Sequence, residues 1–359
     1  MHMADALLSP AVGGTMWTVS AATIAYCSKK IRAEMDDRKI PLMGVLGAFI
    51  FAAQMINFTI PVTGSSGHLG GGLILSILLG PYAAFLTIAS VLVVQAFFFA
   101  DGGLLALGCN IFNLGFFPAF IAYPFIYKKI VGGSASPSRI SVASMAAAII
   151  GLQLGAFGVV METVLSGISA LPFSTFLVIM QPIHLAIGVV EGLVTATVIS
   201  FVYKAKPEIM VSVMEGRPIG VYPLRNSILG FLAVTLLTGG VVSWFASAQP
   251  DGLEWSISKV TGKEELKGPE QGLHNTLATI QKKLAFLPDY SFKKDPETKP
   301  TETPAPLAAS QEQKTGVKKS EGDKLGTSIS GLVGGVLTLL LSLLIGFLLR
   351  QREQQTTPI

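Results

Sequence analysis

The stretch STFLVIMQPIHLAIGVVEGLVTATVISFVY, residues 174–203, decides the class of fold. It holds one carboxylate, Glu191, one histidine, His184, and no lysine or arginine. A helix that crosses the roughly 30 Å apolar core of a bilayer needs about 20 such residues. This one is long enough to cross with tilt or overhang. A soluble helix of that length would carry a charged face.

The same pattern recurs along the chain. Of 359 residues, 50% are hydrophobic and 13% charged, about half the charged share of a soluble domain. Hydropathy windows of ~20 residues predict nine spans. They lie near residues 10–28, 41–60, 68–80, 82–100, 104–127, 140–165, 174–203, 226–247 and 327–349. The third is short and glycine-rich. The expected architecture is an all-α integral membrane protein: a seven-helix bundle in residues 1–225, then a second unit, residues 226–359. The second unit has two further transmembrane helices flanking an extracytoplasmic segment, residues 248–326.

Charge sets the orientation. Outside residues 248–326 every lysine and arginine falls near residues 29–39, 128–139, 204–225 or 350–352. These are alternate loops of the nine-span reading. The positive-inside rule makes them cytoplasmic, which predicts a multi-pass protein of the cytoplasmic (plasma) membrane with its amino terminus outside and its carboxyl terminus inside. No charged region precedes the first apolar run, so no cleavable signal peptide is expected, and the bulky His2 should discourage removal of Met1. Cys27 and Cys109 read as packed side chains rather than a disulfide or metal pair. Residues 295–324 are rich in Pro, Lys, Glu and Thr and read as a flexible linker. Gly331 and Gly335 lie four apart in the last span, a spacing that permits close helix packing.

The chemistry starts at Met1-His2. A free terminal amine and the His2 amide nitrogen close a five-membered ring on a metal. The deprotonated amide and His2 Nδ1 close a six-membered ring. One corner of a square remains, which an imidazole would fill. Planar nitrogen coordination suits Ni(II) or Cu(II), and Co(II) less well. His68, in the glycine-rich run of residues 61–72, lies on the same outer side. Its residue context leaves two readings open, a metal ligand or a loop histidine capping the third span. No Gly-Lys-Ser/Thr follows that run, so it is not a phosphate loop.

Asp5, Asp101, Glu162 and Glu191 lie outside the cytoplasmic loops and the polar segment. With no cation nearby they make the outer half negative, which attracts cations. Glu191 follows His184 by seven residues, hence on the same helical face. The two, with Asp101, are candidates for orienting a ligand from behind; a mutually satisfied pair within the bundle is the plainer alternative. A membrane zinc protease would want His-Glu-x-x-His, which is absent, and no ATP-binding motif occurs.

Met1-His2-Met3-Ala4-Asp5-Ala6-Leu7-Leu8-Ser9-Pro10 resembles the amino terminus of CbiM/NikM proteins, the substrate-capture (S) subunits of energy-coupling-factor transporters for cobalt and nickel. The resemblance continues through Ser66-Gly67-His68-Leu69, Phe99-Ala100-Asp101-Gly102-Gly103, Leu107-Gly108-Cys109-Asn110 and Pro182-Ile183-His184. Pro250-Asp251-Gly252-Leu253-Glu254 resembles the PDGLE module, a small auxiliary component, here fused as a NikN-like unit. Met3 and Ala6 depart from the commoner pattern, where an aliphatic residue and a glycine stand; this touches tail packing rather than the chelating atoms. The resemblance implies a metal held by the Met1 amine, the His2 amide and imidazole, and the His68 imidazole. It also implies partners: a transmembrane coupling (T) subunit docked by the cytoplasmic loops, and paired ABC ATPases. The expected cargo is Ni(II), with Co(II) uptake for cobalamin synthesis as the alternative. No resident cofactor and no nucleic acid are expected. An intramembrane metal-dependent enzyme is the alternative of another class.

Overall fold

A computed structural model describes residues 2–33, 38–133, 135–217, 224–264, 266–269, 271–293 and 321–354. Among these the chain is helical apart from one small hairpin. Helices α1 (Pro10–Ala33) and α2 (Lys39–Gln54) lead to the hairpin β1 (Phe58–Ile60) and β2 (Ser65–Gly67). Then come α3 (Gly72–Leu79), α4 (Pro81–Phe99), α5 (Leu107–Val131), α6 (Pro137–Ser166), α7 (Phe173–Ala205) and α8 (Pro207–Glu215). The second half supplies α9 (Arg225–Gly240), α10 (Gly252–Thr261), α11 (Leu273–Leu284) and α12 (Glu321–Gln354). Helices α4 to α7, and residues Lys324–Arg350 of α12, are long and apolar enough to cross a membrane.

Three of the nine predicted spans need correction: the eighth was read to residue 247, but α9 ends at Gly240. The second was read through residue 60, but α2 stops at Gln54. The apolar residues beyond it pair instead as β1 against β2, antiparallel, with Thr59 opposite Ser66. The third shrinks to the eight residues of α3, about 12 Å of helix, too short to cross. Gly80, at φ +84°, and Pro81 break it from α4. Residues 65–71, which lead into α3, are buried although they are not helical.

Non-helical backbone at membrane depth is tolerated only where protein satisfies it. Here Glu191, on α7, supplies much of that. Its Oε2 accepts from Gly70 N–H at 3.1 Å and its Oε1 from Gly71 N–H at 3.0 Å. Gln54 Nε2 donates to Gly70 C=O at 2.8 Å, and Gln95 Nε2 donates to Gln54 Oε1 at 2.8 Å. Gly71 sits at φ +76°, a left-handed conformation open to glycine, and starts α3. The loop is thus turned, pinned and buried by three neighbouring helices.

Lys39 and Gln54 mark opposite ends of α2, roughly 24 Å apart. Lys39 and Lys128, from two of the basic loops, line one cavity with Val213 at the far end from the hairpin. The carboxyl-terminal helix α12 packs along α2 and α9. Gly331 meets the backbone of Gly239, and Gly334 faces the Phe51 ring. Gly335 lies looser, with Thr235 its nearest neighbour at 3.8 Å from a Cβ position. Cys27 and Cys109 are buried free thiols. The expected linker, residues 295–324, lies outside the described residues up to residue 320.

Replacing Glu191 by alanine strands two buried N–H groups, at about 1–3 kcal/mol each. We expect a destabilisation of about 2–6 kcal/mol, read as a lower melting temperature of the protein in detergent. Glu191→Gln, which keeps one carbonyl acceptor, should melt between the two.

Candidate metal site

The amino-terminal tail inserts into the bundle. Met3, Leu7 and Leu8 are buried. Met3 N–H donates to Asn110 Oδ1 at 2.8 Å, and Asn110 Nδ2 donates back to Met3 C=O at 3.3 Å. Gly103 N–H also reaches Met3 C=O, at 2.9 Å. Asp5 Oδ1 accepts from Ala106 N–H at 3.0 Å. A side chain at Gly103 would overlap the Asp5 carboxylate, so glycine is what lets the tail lie this close. The sequence Asp101-Gly102-Gly103 is therefore a cradle for the tail. Met3, the departure from the commoner pattern, fills its place fully.

The tail sets His2 against His68. Their rings stack with centroids 4.9 Å apart and planes 9° from parallel. His2 Nδ1 lies 3.2 Å from Asp101 Oδ1. His2 Nε2 is buried with no hydrogen-bond partner. His68 Nδ1 is 3.1 Å from Leu69 C=O, and its Nε2 faces Asp251 Oδ2 at 4.0 Å. Burial above all pushes both imidazoles below the ordinary histidine range, against the opposing pull of Asp101 and Asp251. Neutral imidazoles are the form that binds metal. Among the described residues no three His, Cys, Asp or Glu side chains are arranged to hold a metal by themselves.

The second half closes over the pair. Asp251 begins α10 with a reciprocal cap: its Oδ1 accepts from Leu253 and Glu254 N–H, and its own N–H donates to Glu254 Oε2 at 2.9 Å. This is the sequence Asp-x-x-Glu acting as a helix start. Pro250 C=O accepts from Ser66 N–H at 2.8 Å, and Trp255 Nε1 donates to Thr63 C=O at 2.9 Å. Gln281 Nε2 donates to the carbonyls of Ala96 and Gly102 at 2.9 and 2.7 Å. The Tyr290 hydroxyl donates to Asp101 Oδ2. His274 Nε2 meets Leu8 C=O at 2.8 Å.

Of the residues singled out in the sequence, His2, His68 and Asp101 converge. Met1 lies outside the described residues. His184 and Glu191 share a helix face but not a bond: His184 Nδ1 meets Met180 C=O at 2.8 Å, while Glu191 holds Gly70 and Gly71. His184 nevertheless lies close by, with Nε2 3.3 Å from a Cβ position at Gly252. Glu162 is buried and accepts from Asn113 Nδ2 at 2.7 Å, so it is not a lipid-facing group. Asp251 and Tyr290 were not anticipated. Asp251 was visible as part of a motif, but nothing in the sequence aims it at His68. Tyr290 carries no local signal.

Residues 2–209 match the family described as "Cobalt uptake substrate-specific transmembrane region". The chain belongs to this family. Residues 225–351 match the PDGLE domain. The chain is 35% identical over 218 residues to a putative metal transport protein of Haloquadratum walsbyi, covering 60% of this chain and 95% of that one. It is 35% identical over 210 residues to a putative fused nickel transport protein, NikMN, of Archaeoglobus fulgidus, covering 58% and 68%. A crystal structure of a truncated transition metal transporter superposes with TM-score 0.51 at 27% identity, covering 57% of this chain and 99% of that one. This CbiM-family chain, fused to a NikN-like PDGLE unit, is a multi-pass membrane component of cobalt/nickel transport and not an enzyme. The family provides the metal-binding, substrate-capture component of such transporters.

Asn110 clamps both backbone groups of Met3. Asn110→Ala should free the tail, speed hydrogen exchange at the Met3 amide, and weaken metal binding about 10–100-fold, the range for groups that orient ligands. Exchange mass spectrometry and a metal titration check the two effects separately.

Proposed function

We propose that this protein captures Ni(II) on the outer side of the membrane with an amino-terminal chelate and delivers it inward as the S subunit of an energy-coupling-factor importer. The observation that carries this reading is the stacked pair His2 and His68, brought together by a tail clamped at Met3. The proposed ligands are the Met1 amine, the His2 amide nitrogen, His2 Nδ1 and the His68 imidazole. On binding, the amide gives up its proton, and Nδ1 exchanges its contact with Asp101 for the metal. Four nitrogens in a plane favour Ni(II) over Co(II). Co(II) carried by the same route is the second reading, favoured by the description of the matched family.

The outer face is the one that bears His2, the hairpin and α10; the basic loops mark the cytoplasmic face. With no ATP-binding motif in the chain, ATP hydrolysis falls to separate ABC ATPases, reached through a coupling subunit on the cytoplasmic loops.

A Ni(II) titration of the purified protein, followed by visible absorption, tests the chelate. We expect a yellow, low-spin planar band. His2→Ala and His68→Ala should each abolish tight binding with the fold retained, and one residue added before Met1 should remove or red-shift the band. Normal binding by His68→Ala would sink the four-nitrogen site. Uptake of radioactive nickel with excess cobalt as competitor decides the metal; preference for cobalt would overturn nickel.

A further inference from the structure

The inner end of the bundle holds a cavity of about 270 Å³, many times the roughly 30 Å³ that one water takes up. It opens where α2 and α4 begin and α5 ends. Lys39, the first residue of α2, and Lys128, in the last turn of α5, both line it. Both are half-buried. Among the described residues neither makes an ion pair. Glu215, the acid in the lining, is answered by Arg217, whose Nε lies 3.3 Å from its Oε2. Two positive charges thus stand at this cavity without a described carboxylate of their own.

Gly80 and Pro81 bring the start of α4 to the same place. Gly80 has no side chain with which to cap the helix, and Pro81 has no N–H. Ala84 N–H is bonded to Gly80 C=O at 3.0 Å. A helix start of this kind carries partial positive charge, which adds to the two ammonium groups. Tyr123, on α5, is an independent sign of a ligand. It is 2% exposed and lines the cavity, and its hydroxyl is buried with no hydrogen-bond partner. Tyr127, stacked on it with ring centroids 6.0 Å apart, does have a partner, the Met210 sulfur at 3.6 Å. A buried polar group left unanswered by the protein needs an explanation. Lys128 Nζ stands 5.9 Å from the centre of the Tyr123 ring, so the two share one wall.

We propose that this cavity binds a phosphate-bearing anion, with Lys39 and Lys128 as its counter-charges and the Tyr123 hydroxyl as a donor to one phosphate oxygen. A phosphate has enough acceptor oxygens to meet donors that converge from different helices. A hydroxyl also bonds an anionic oxygen more strongly than a neutral one. The phosphate has two possible sources, the headgroup of an inner-leaflet phospholipid or the free ion. The position favours the lipid. The basic loops mark this end as cytoplasmic, and basic pockets between transmembrane helices on that side hold anionic lipid heads. Ile31, Met43 and Leu79 give the cavity an apolar wall for the carbons next to the phosphate. Bound there, the anion ties the starts of α2 and α4 to the end of α5.

The test uses the full chain, delipidated in detergent and titrated with phosphatidylglycerol, phosphatidylcholine or inorganic phosphate, with native mass spectrometry counting what is bound. One phosphatidylglycerol should bind about tenfold or more tightly than phosphatidylcholine. Lys39→Gln with Lys128→Gln should weaken it about tenfold or more. Tyr123→Phe, which keeps the ring and removes only the hydroxyl, should weaken it about tenfold. Lys29→Gln with Lys204→Gln removes as much charge from exposed positions on the same face and should leave binding unchanged. Inorganic phosphate bound with the same dependence on Lys39, Lys128 and Tyr123, and no preference for the anionic lipid, would keep the site and make the free ion its source. Failure of both anionic probes to bind would overturn the proposal. So would an equal loss in the two lysine pairs, which would reduce the effect to general surface charge. Melting without added anion shows whether each variant folds. Should the Lys39 and Lys128 pair fail to fold, Tyr123→Phe decides, and wild-type binding by it overturns the proposal.

Discussion

Everything at the outer end of this molecule depends on backbone that is buried without being helical. In a membrane each unanswered N–H or C=O costs several kcal/mol. Residues 65–71 escape that cost because α7 sends Glu191 to the N–H groups of Gly70 and Gly71, and α2 sends Gln54 to the Gly70 carbonyl. That arrangement lets His68 sit inside the bundle on a rigid loop rather than on a surface turn. It also explains an acid deep in α7 that is answered by backbone N–H groups rather than by a base. Glu191 serves the loop, and the loop holds the histidine.

The tail answers from the other side. Its first turn is tied through Met3 to Asn110 and Gly103, and through Asp5 to Ala106. These bonds run to the turn and helix that follow Asp101. One short segment therefore holds the tail and supplies the carboxylate beside His2. His2 is thus held through the clamped Met3 that follows it, and the His68 ring by Nδ1 against Leu69 C=O.

Much of this was legible in the sequence, and the failures have physical causes. Residues 174–203 announce a membrane helix because nothing else tolerates so long an apolar run. Met1-His2 offers donor atoms that suit a metal, and the context of His68 leaves ligand and helix cap both open; the structure adds that the rings of His2 and His68 stack. The third span misled because hydropathy counts apolar residues and does not see that Gly80-Pro81 cuts the run. The second span was overrun for a similar reason: residues 56–60 extend the apolar run, yet Phe58–Ile60 pair as a strand with Ser65–Gly67. The pairing of His184 with Glu191 looked natural from a seven-residue spacing. Helix periodicity says which residues share a face but not what lies across from it, and Gly70 and Gly71 come from more than a hundred residues away. Asp251 and Tyr290 were beyond reach for the same reason, since both act across the junction of the two halves.

That junction has a kinetic meaning. Ser66, Thr63, Asn57 and Asp101 all bond to residues of the second half. Two separate chains sharing such contacts would part and meet again by diffusion, at a rate set by how much of each the cell makes. Here the cover is part of the same chain as what it covers, so its local concentration is fixed by that linkage. Opening becomes an internal equilibrium, independent of expression level. Each copy of the chain thus carries its cover at a one-to-one ratio that no imbalance in synthesis can disturb.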